Sequence, residues 1–254
     1  WGTLLITTGL VCFFLVLILW EIISQGAGSL SWSFISEIPR EGMTKGGILT
    51  PILGTVLLTL LTALFSIPFG VCCAIYLNEY AEDNWLTKTI RAAIRNLSGV
   101  PSIIYGLFGL ALFVQALQLG TSMLSAGLTL GLLSLPYIIT TTEEALMRIP
   151  ASTREAALAV GATKLETIKD VVLPSAMPGI LTGVVLTLSR AAGETAPILF
   201  TGAAFYINGI GGTVDNEFMA LPYHLYMLST QHQSIEEVRP IAYGTALVLV
   251  IVVF

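Results

Sequence analysis

The sequence predicts an all-α membrane protein: a single transmembrane domain over residues 1–254, with six spanning helices and both termini on the cytoplasmic side. Three observations point there. The composition is too apolar for a water-facing globule, several apolar runs are long enough to cross a bilayer, and lysine and arginine crowd into alternate loops.

Of the 254 residues, 55% are hydrophobic and 11% are charged, whereas soluble domains carry roughly 25% charged residues. Mean hydropathy is +0.85. The net charge of -5 argues against a nucleic-acid partner, because such partners are bound through clustered Lys and Arg. Cys12, Cys72 and Cys73 lie inside apolar runs with neither metal-site nor disulfide spacing. They read as small core hydrophobes with free thiols. His224 and His232 are isolated and read as polar loop residues, so no metal site is expected.

A spanning helix needs about 20 mostly apolar residues. The runs 3–23, 48–77, 101–119, 124–142 and 178–205 qualify, and a sixth begins at 241 and is cut off at 254. Pro68 and Pro136 fall inside spans, where neighbouring helices can satisfy the freed carbonyls. A β-barrel is excluded, since its strands need alternation and these runs have none. The first run exceeds a signal-peptide core of about 7–15 residues, and no convincing cleavage site follows it, so it is expected to be retained. The chain begins at Trp1 rather than Met and stops within the apolar run 246–254. Both ends are therefore expected to be trimmed.

Orientation follows from loop cations. Lys88, Arg91 and Arg95 lie between spans two and three, and Arg148, Arg154, Lys164 and Lys169 lie between spans four and five. Opposite them stand Arg40, Lys45 and Arg239. The seven mark the cytoplasmic side, which leaves the loops 24–47 and 206–240 outside. The second external loop holds Leu221, Pro222, Tyr223 and Tyr226. It reads as an external gate or docking surface, or as a plain packed loop. Lys88, Arg91 and Arg95 share one helix face, opposed by Trp85, Leu86 and Ile90. That pattern suits a helix on the membrane surface or a solvated charged face. Gly127 with Gly131, and Gly179 with Gly183, form GxxxG pairs that let helices approach closely in lipid.

The cytoplasmic stretch 151–174 predicts a helix-turn-helix. Pro150 closes the preceding helix, and Ser152 with Glu155 has the spacing of a capping box. Gly161 ends that first short helix. Thr163 with Glu166 makes a second capping box, and the second helix is expected to end before Pro174. Ala156, Ala157 and Ala159 give the first helix a small-residue face to which another protein can come close, although a stable cytoplasmic loop explains the same pattern.

The sequence Glu155-Ala156-Ala157, then Gly161, then Leu173-Pro174, resembles the EAA loop of ABC importer permeases, with Val171 where that pattern usually has isoleucine. The resemblance implies the type I ABC importer permease fold. It also implies that Glu155, Ala156, Ala157 and Gly161 dock on an ATP-binding subunit and couple hydrolysis to opening. This chain has no GxxxxGK[ST] phosphate-binding loop. ATP and Mg are expected on a partner chain, with no cofactor here and no catalysis by this chain.

Arg190 and Glu194 stand inside the apolar run 178–205. A charge at a helix centre in lipid costs roughly 2.5–3.5 kcal/mol on insertion scales, so such residues face a bundle interior, pair, or line a path. The two are four residues apart and share a face, in the weaker Arg-before-Glu order. Gly193 weakens the helix, and Pro197 cannot bond the Gly193 carbonyl, so a kink or gate is expected there. A guanidinium matches a tetrahedral oxyanion bidentately. Arg190 thus reads as a contact for phosphate in transit, with Glu194 holding it or accepting a hydrogen bond from the P–OH group. A structural pair locking two helices explains the same residues.

Residues 190–197 (Arg-Ala-Ala-Gly-Glu-Thr-Ala-Pro), with Ile-Leu-Phe-Thr after them, are similar to the fifth-helix signature of PstA-type permeases in phosphate-specific importers. Residues 96–109 (Asn-Leu-Ser-Gly-Val-Pro-Ser-Ile-Ile-Tyr-Gly-Leu-Phe-Gly) are similar to the entry to that family's third helix. The resemblance runs from about residue 48 to the end. It implies a PstC-type permease as heterodimer partner, a PstB-type ATPase dimer, a PstS-type phosphate-binding protein, inorganic phosphate as cargo, and a bacterial inner-membrane location. The alternative cargo is another oxyanion such as sulfate or molybdate. A membrane enzyme is disfavoured by the lack of GxSxG, HExxH or cofactor fingerprints, and a passive channel has no use for an EAA loop.

Overall fold

The computed structural model describes every residue except 208, 210–213 and 254. Part of the expected external loop 206–240, and the last residue of the expected sixth span, lie outside the described residues. In chain order the helices are α1 (Gly2–Gly26), α2 (Trp32–Ser36), α3 (Leu49–Ile75), α4 (Trp85–Leu97), α5 (Ser102–Gly109), α6 (Met123–Met147), α7 (Ala151–Ala159), α8 (Lys164–Glu166), α9 (Leu173–Ala192), α10 (Ala196–Thr201), α11 (Leu221–Thr230) and α12 (Ile235–Val253). Strands β1 (Pro39–Arg40) and β2 (Lys45–Gly46) pair antiparallel.

Among the described residues, four helices are long and apolar enough to cross a membrane alone: Gly2–Ser29, Leu49–Tyr80, Met123–Met147 and Lys164–Ala192. The pair Trp85–Leu97 and Ser102–Ala116, bent by 101°, makes a fifth if taken as one span. Helix α12 contains the sixth predicted run but opens with Glu236 and Glu237. Its apolar part thus begins only after a charged first turn.

The chain divides into two compact units, residues 1–56 with 203–254 and residues 57–202. In the first, α12 packs against both α1 and α11. Helix α1 is exposed all round from Gly2 to Ile18, where its residues are apolar or small, as suits a lipid-facing span. It closes on α12 at Gly26, where a Cβ would stand 2.6 Å from the Tyr243 carbonyl oxygen. Met43, Met219, Leu228 and Val238 form one buried cluster, and Phe34, Ile48, Leu221 and Val248 another. The Leu221–Tyr226 stretch is therefore helical, with residues 221–224 buried and Tyr226 exposed. His224 is not a polar loop residue but 2% exposed in α11, with neither ring nitrogen hydrogen-bonded. Burial lowers its pKa to about 4.

In the second unit α6 is the central helix, with contacts to α4, α5, α9 and α10. Its GxxxG pair faces α3: a Cβ at Gly127 would meet Leu61 at 2.6 Å, and one at Gly131 would collide with Phe65. The pair on α9 faces α6, with Ala145 beside Gly179 and Thr141 beside Gly183. Both motifs are thus contacts within the chain. Ile138, Leu146, Val172, Ile180 and Val184 fill the space between α6 and α9. Lipid tails give helices no hydrophobic reason to associate, so close packing at these small residues carries the contact. Cys12 and Cys72 are exposed on their helices rather than in a core.

Two local expectations are corrected. The Ser152–Glu155 capping box does not form; α7 starts from Pro150, whose fixed φ suits helix entry, with no side-chain cap. The second helix of the 151–174 stretch does not stop before Pro174. It widens into a π-helical segment at Thr167–Val172 and continues into α9 with Pro174 in the first turn. The widened turn just before the proline accommodates its ring and missing N–H.

Candidate translocation and coupling sites

Helix α9 closes tightly after Arg190. The Gly193 N–H donates to the Arg190 carbonyl at 3.1 Å and the Glu194 N–H to the Ala191 carbonyl at 3.2 Å. The chain then leaves helical geometry until Ala196, with Pro197 in the first turn of α10. The expected kink is a break of three residues, 193–195. Arg190 Nε lies 3.4 Å from Glu194 Oε1 across it. Their exposures differ: the guanidinium side chain is 49% exposed and the glutamate 15%. Glu194 is held within the chain while Arg190 presents its charge outward.

Tyr137 joins this pair. Its ring lies under the Arg190 guanidinium at 4.4 Å, and its hydroxyl donates to the Ser98 carbonyl at 2.8 Å. Ser98 ends α4, at the start of the bend into α5. Sequence reading missed Tyr137, because an aromatic residue after Pro136 in an apolar run looks like any other helix-packing residue. Beyond the break, α10 is clamped. The Ser122 N–H donates to the Thr201 carbonyl at 2.9 Å, and Gly106 of α5 sits so close that a Cβ would meet Phe200 at 2.9 Å and Pro197 at 3.0 Å.

On α6 the positions Tyr137, Thr141, Glu144 and Arg148 follow one helical stripe, as Arg190, Leu186, Gly183 and Gly179 do on α9. Between the two stripes lies a cavity of about 250 Å³ lined by Thr141, Thr182, Glu144 and Arg148 among others. The cavity reaches Leu186 of the α9 stripe, one turn from Arg190, and runs alongside Glu144 and Arg148 near the C-terminal end of α6.

The second site is the helix-turn-helix. Glu155 and Ala156 are exposed, whereas Ala157 is buried against the chain. The outward surface is less bare than the alanine pattern suggests, since Leu158, Val160 and Leu165 are 50%, 86% and 65% exposed. Gly161 adopts φ +90° with no atom near its missing Cβ, so glycine is required there by backbone conformation alone. The second capping box forms as expected: Glu166 N–H donates to Thr163 Oγ1 at 3.3 Å, and Thr163 N–H to Glu166 Oε2 at 2.7 Å. The Thr163 backbone bond, then its hydroxyl, hold the Glu166 carboxyl below its usual pKa.

Arg154 anchors α7, a role that a simple count of loop cations did not reveal. Its Nη2 donates to Glu79 Oε1 at 2.8 Å and to the Leu146 carbonyl at 3.0 Å, and its Nη1 donates to the Ile149 carbonyl at 2.7 Å. It therefore adds a donor to the Leu146 carbonyl, which also accepts from the Ile149 N–H, and supplies one to the Ile149 carbonyl just beyond α6, and it ties α7 to the π-helical segment after α3 (Tyr76–Tyr80). Lys164 stacks over Tyr80 at 4.9 Å, a second tie to the same segment. Glu79, the first acid after the apolar run of α3, was the available sequence signal for this anchor.

Residues 66–254 match the family model described as binding-protein-dependent transport system inner membrane component. The chain is 34% identical over 242 residues to the Bacillus subtilis (strain 168) "Probable ABC transporter permease protein YqgI", covering 91% of this chain and 82% of that one. It is also 34% identical over 246 residues to "Phosphate transport system permease protein PstA 1" of Mycobacterium tuberculosis (strain ATCC 25618 / H37Rv), covering 94% and 78%. Its fold matches a chain of a bacterial alginate ABC transporter solved with an alginate pentasaccharide-bound periplasmic protein. That match has TM-score 0.66 at 15% identity and covers 99% of this chain and 90% of that one. At such identity the likeness concerns the fold, which is that of ABC importer permeases.

Proposed function

This chain belongs to the family of binding-protein-dependent transport system inner membrane components, and from that premise we propose that it is the PstA-type transmembrane subunit of an ATP-driven phosphate importer. It forms half of the translocation path, the other half coming from a PstC-type permease. A PstB-type ATPase dimer binds the helix-turn-helix and supplies the hydrolysis, with ATP and Mg held there. A PstS-type protein delivers inorganic phosphate from outside. The setting is the bacterial inner membrane, with the 151–174 stretch and both termini in the cytoplasm. Names of relatives such as the phosphate permease of M. tuberculosis support the cargo.

The observation that carries this reading is Arg190, a half-exposed guanidinium on an otherwise apolar helix, beside a break in that helix. In lipid such a charge is costly unless it faces water or a polar partner. Facing the second permease across the path, it offers a permanent positive stop for an oxyanion. Glu194 at 3.4 Å tempers the attraction, so the anion is not trapped. It also accepts a hydrogen bond from P–OH, which sulfate lacks. Coupling rests on the exposed Glu155 and Ala156, with Ala157 seating the helix and Gly161 making the turn. Exposed Leu158, Val160 and Leu165 give an ATPase groove apolar surface to grip.

The test is phosphate uptake by the complex reconstituted in lipid vesicles. Arg190→Gln is expected to abolish uptake with assembly intact, and unlabelled sulfate is expected not to compete in the wild type. Normal phosphate uptake by the assembled variant would refute the role given to Arg190.

A further inference from the structure

We propose that Tyr137 is a positioning residue for Arg190, holding its guanidinium towards the path and tying that orientation to the bend between α4 and α5. The inference rests on the reading of Arg190 above and adds a residue and a linkage to it.

Arginine carries several rotatable bonds, and Arg190 has one weak carboxylate contact, at 3.4 Å, made across a break in its own helix. That single bond leaves the guanidinium plane undetermined. The Tyr137 ring at 4.4 Å supplies the missing constraint, because a cation over an aromatic face is attracted by the ring's quadrupole. The ring is itself fixed at its far end. Its hydroxyl donates to the Ser98 carbonyl at 2.8 Å, and Ser98 belongs to the connection where the broken span turns by 101°. The result is one chain of contacts, Glu194 to Arg190 to Tyr137 to Ser98, joining α9, α6 and the end of α4. The bond to Ser98 also distinguishes Tyr from Phe at 137. A purely packing aromatic has no need of the hydroxyl, whereas a positioned ring does. A change in the bend at 98–101 would move the Ser98 carbonyl and, through the ring, the cation.

The experiment uses the reconstituted complex with inorganic phosphate as cargo and measures KM and maximal rate separately. Tyr137→Leu removes ring and hydroxyl, and a fall of ten-fold or more in rate over KM is expected, with assembly and melting temperature near wild type. Tyr137→Phe keeps the ring and loses its anchor, and a two- to five-fold fall is expected. The decisive arm is a double-mutant cycle with Arg190→Lys, which lacks the planar group that stacks on the ring. If Tyr137 acts through Arg190, adding Tyr137→Phe to Arg190→Lys changes rate over KM by less than two-fold. Full additivity overturns the proposal, as does a Tyr137→Phe variant with wild-type constants, and this arm stands even if Tyr137→Leu fails to assemble. Loss of uptake in Arg190→Gln alongside unaffected Tyr137 variants rejects this inference alone. Normal uptake in Arg190→Gln rejects the reading beneath it.

Discussion

Replacing Arg154 with alanine is expected to destabilise the packing of α7 against the end of α3 by about 3 kcal/mol. The figure follows from what the side chain touches. Glu79 is 8% exposed and faces Arg154 at 2.8 Å, with Asn78 Nδ2 donating to the same carboxylate at 2.7 Å. Removing one partner of a buried ion pair costs about 3–5 kcal/mol, because the other charge stays buried and unmatched. The Asn78 bond remains in the variant, which places the loss at the lower end. The Ile149 carbonyl also loses its Arg154 donor, whereas the Leu146 carbonyl keeps the Ile149 N–H. The assay is thermal unfolding of the detergent-solubilised complex, together with ATP hydrolysed per phosphate imported. A second substitution then separates causes. If an unmatched carboxylate is the source, adding Glu79→Gln to Arg154→Ala restores about 1–2 kcal/mol, since a neutral amide is cheaper to bury than a charge. A double variant as unstable as Arg154→Ala, or more so, would refute the reasoning. On the proposed coupling role of α7, the same loosening is expected to raise ATP consumption per phosphate, because a helix without its anchor transmits movement poorly.

Two further outcomes follow from local geometry. Gly161→Ala is expected to cost about 1–2 kcal/mol at the turn, the penalty of left-handed backbone for a residue with Cβ. Weaker binding of the ATPase subunit in pull-down or titration would register it, and unchanged binding and stability would contradict it. His224 is neutral and buried with a pKa of about 4, against 6.5 for the free side chain. The unfolded chain therefore takes up a proton between pH 6.5 and 4 that the folded chain refuses, so stability is complete above pH 6.5 and falls as pH drops through that window. The loss is on the order of 3 kcal/mol. Melting temperatures of wild type and His224→Leu from pH 7.5 to 4.5 check this, and an equal slope in both would exclude His224 as its source.

The sequence alone determined the membrane class, because the apolar excess and the length of the runs follow from composition and need no partner. It also located the helix-turn-helix, the Thr163–Glu166 cap, the glycine turn at Gly161, the helix-packing glycines and the Arg190–Glu194 pair, all of which are local patterns or charges out of place. Only the tertiary structure decided what lies outside that reach. A capping-box spacing at Ser152 and Glu155 gave way to the conformation imposed by Pro150. Pro174 was absorbed by a π-helical turn where local rules predict a stop. Tyr137 joined Arg190, and Arg154 joined Glu79, across 53 and 75 residues of chain respectively. Such contacts depend on which helix faces pack together, and no periodicity within one segment encodes the face of another.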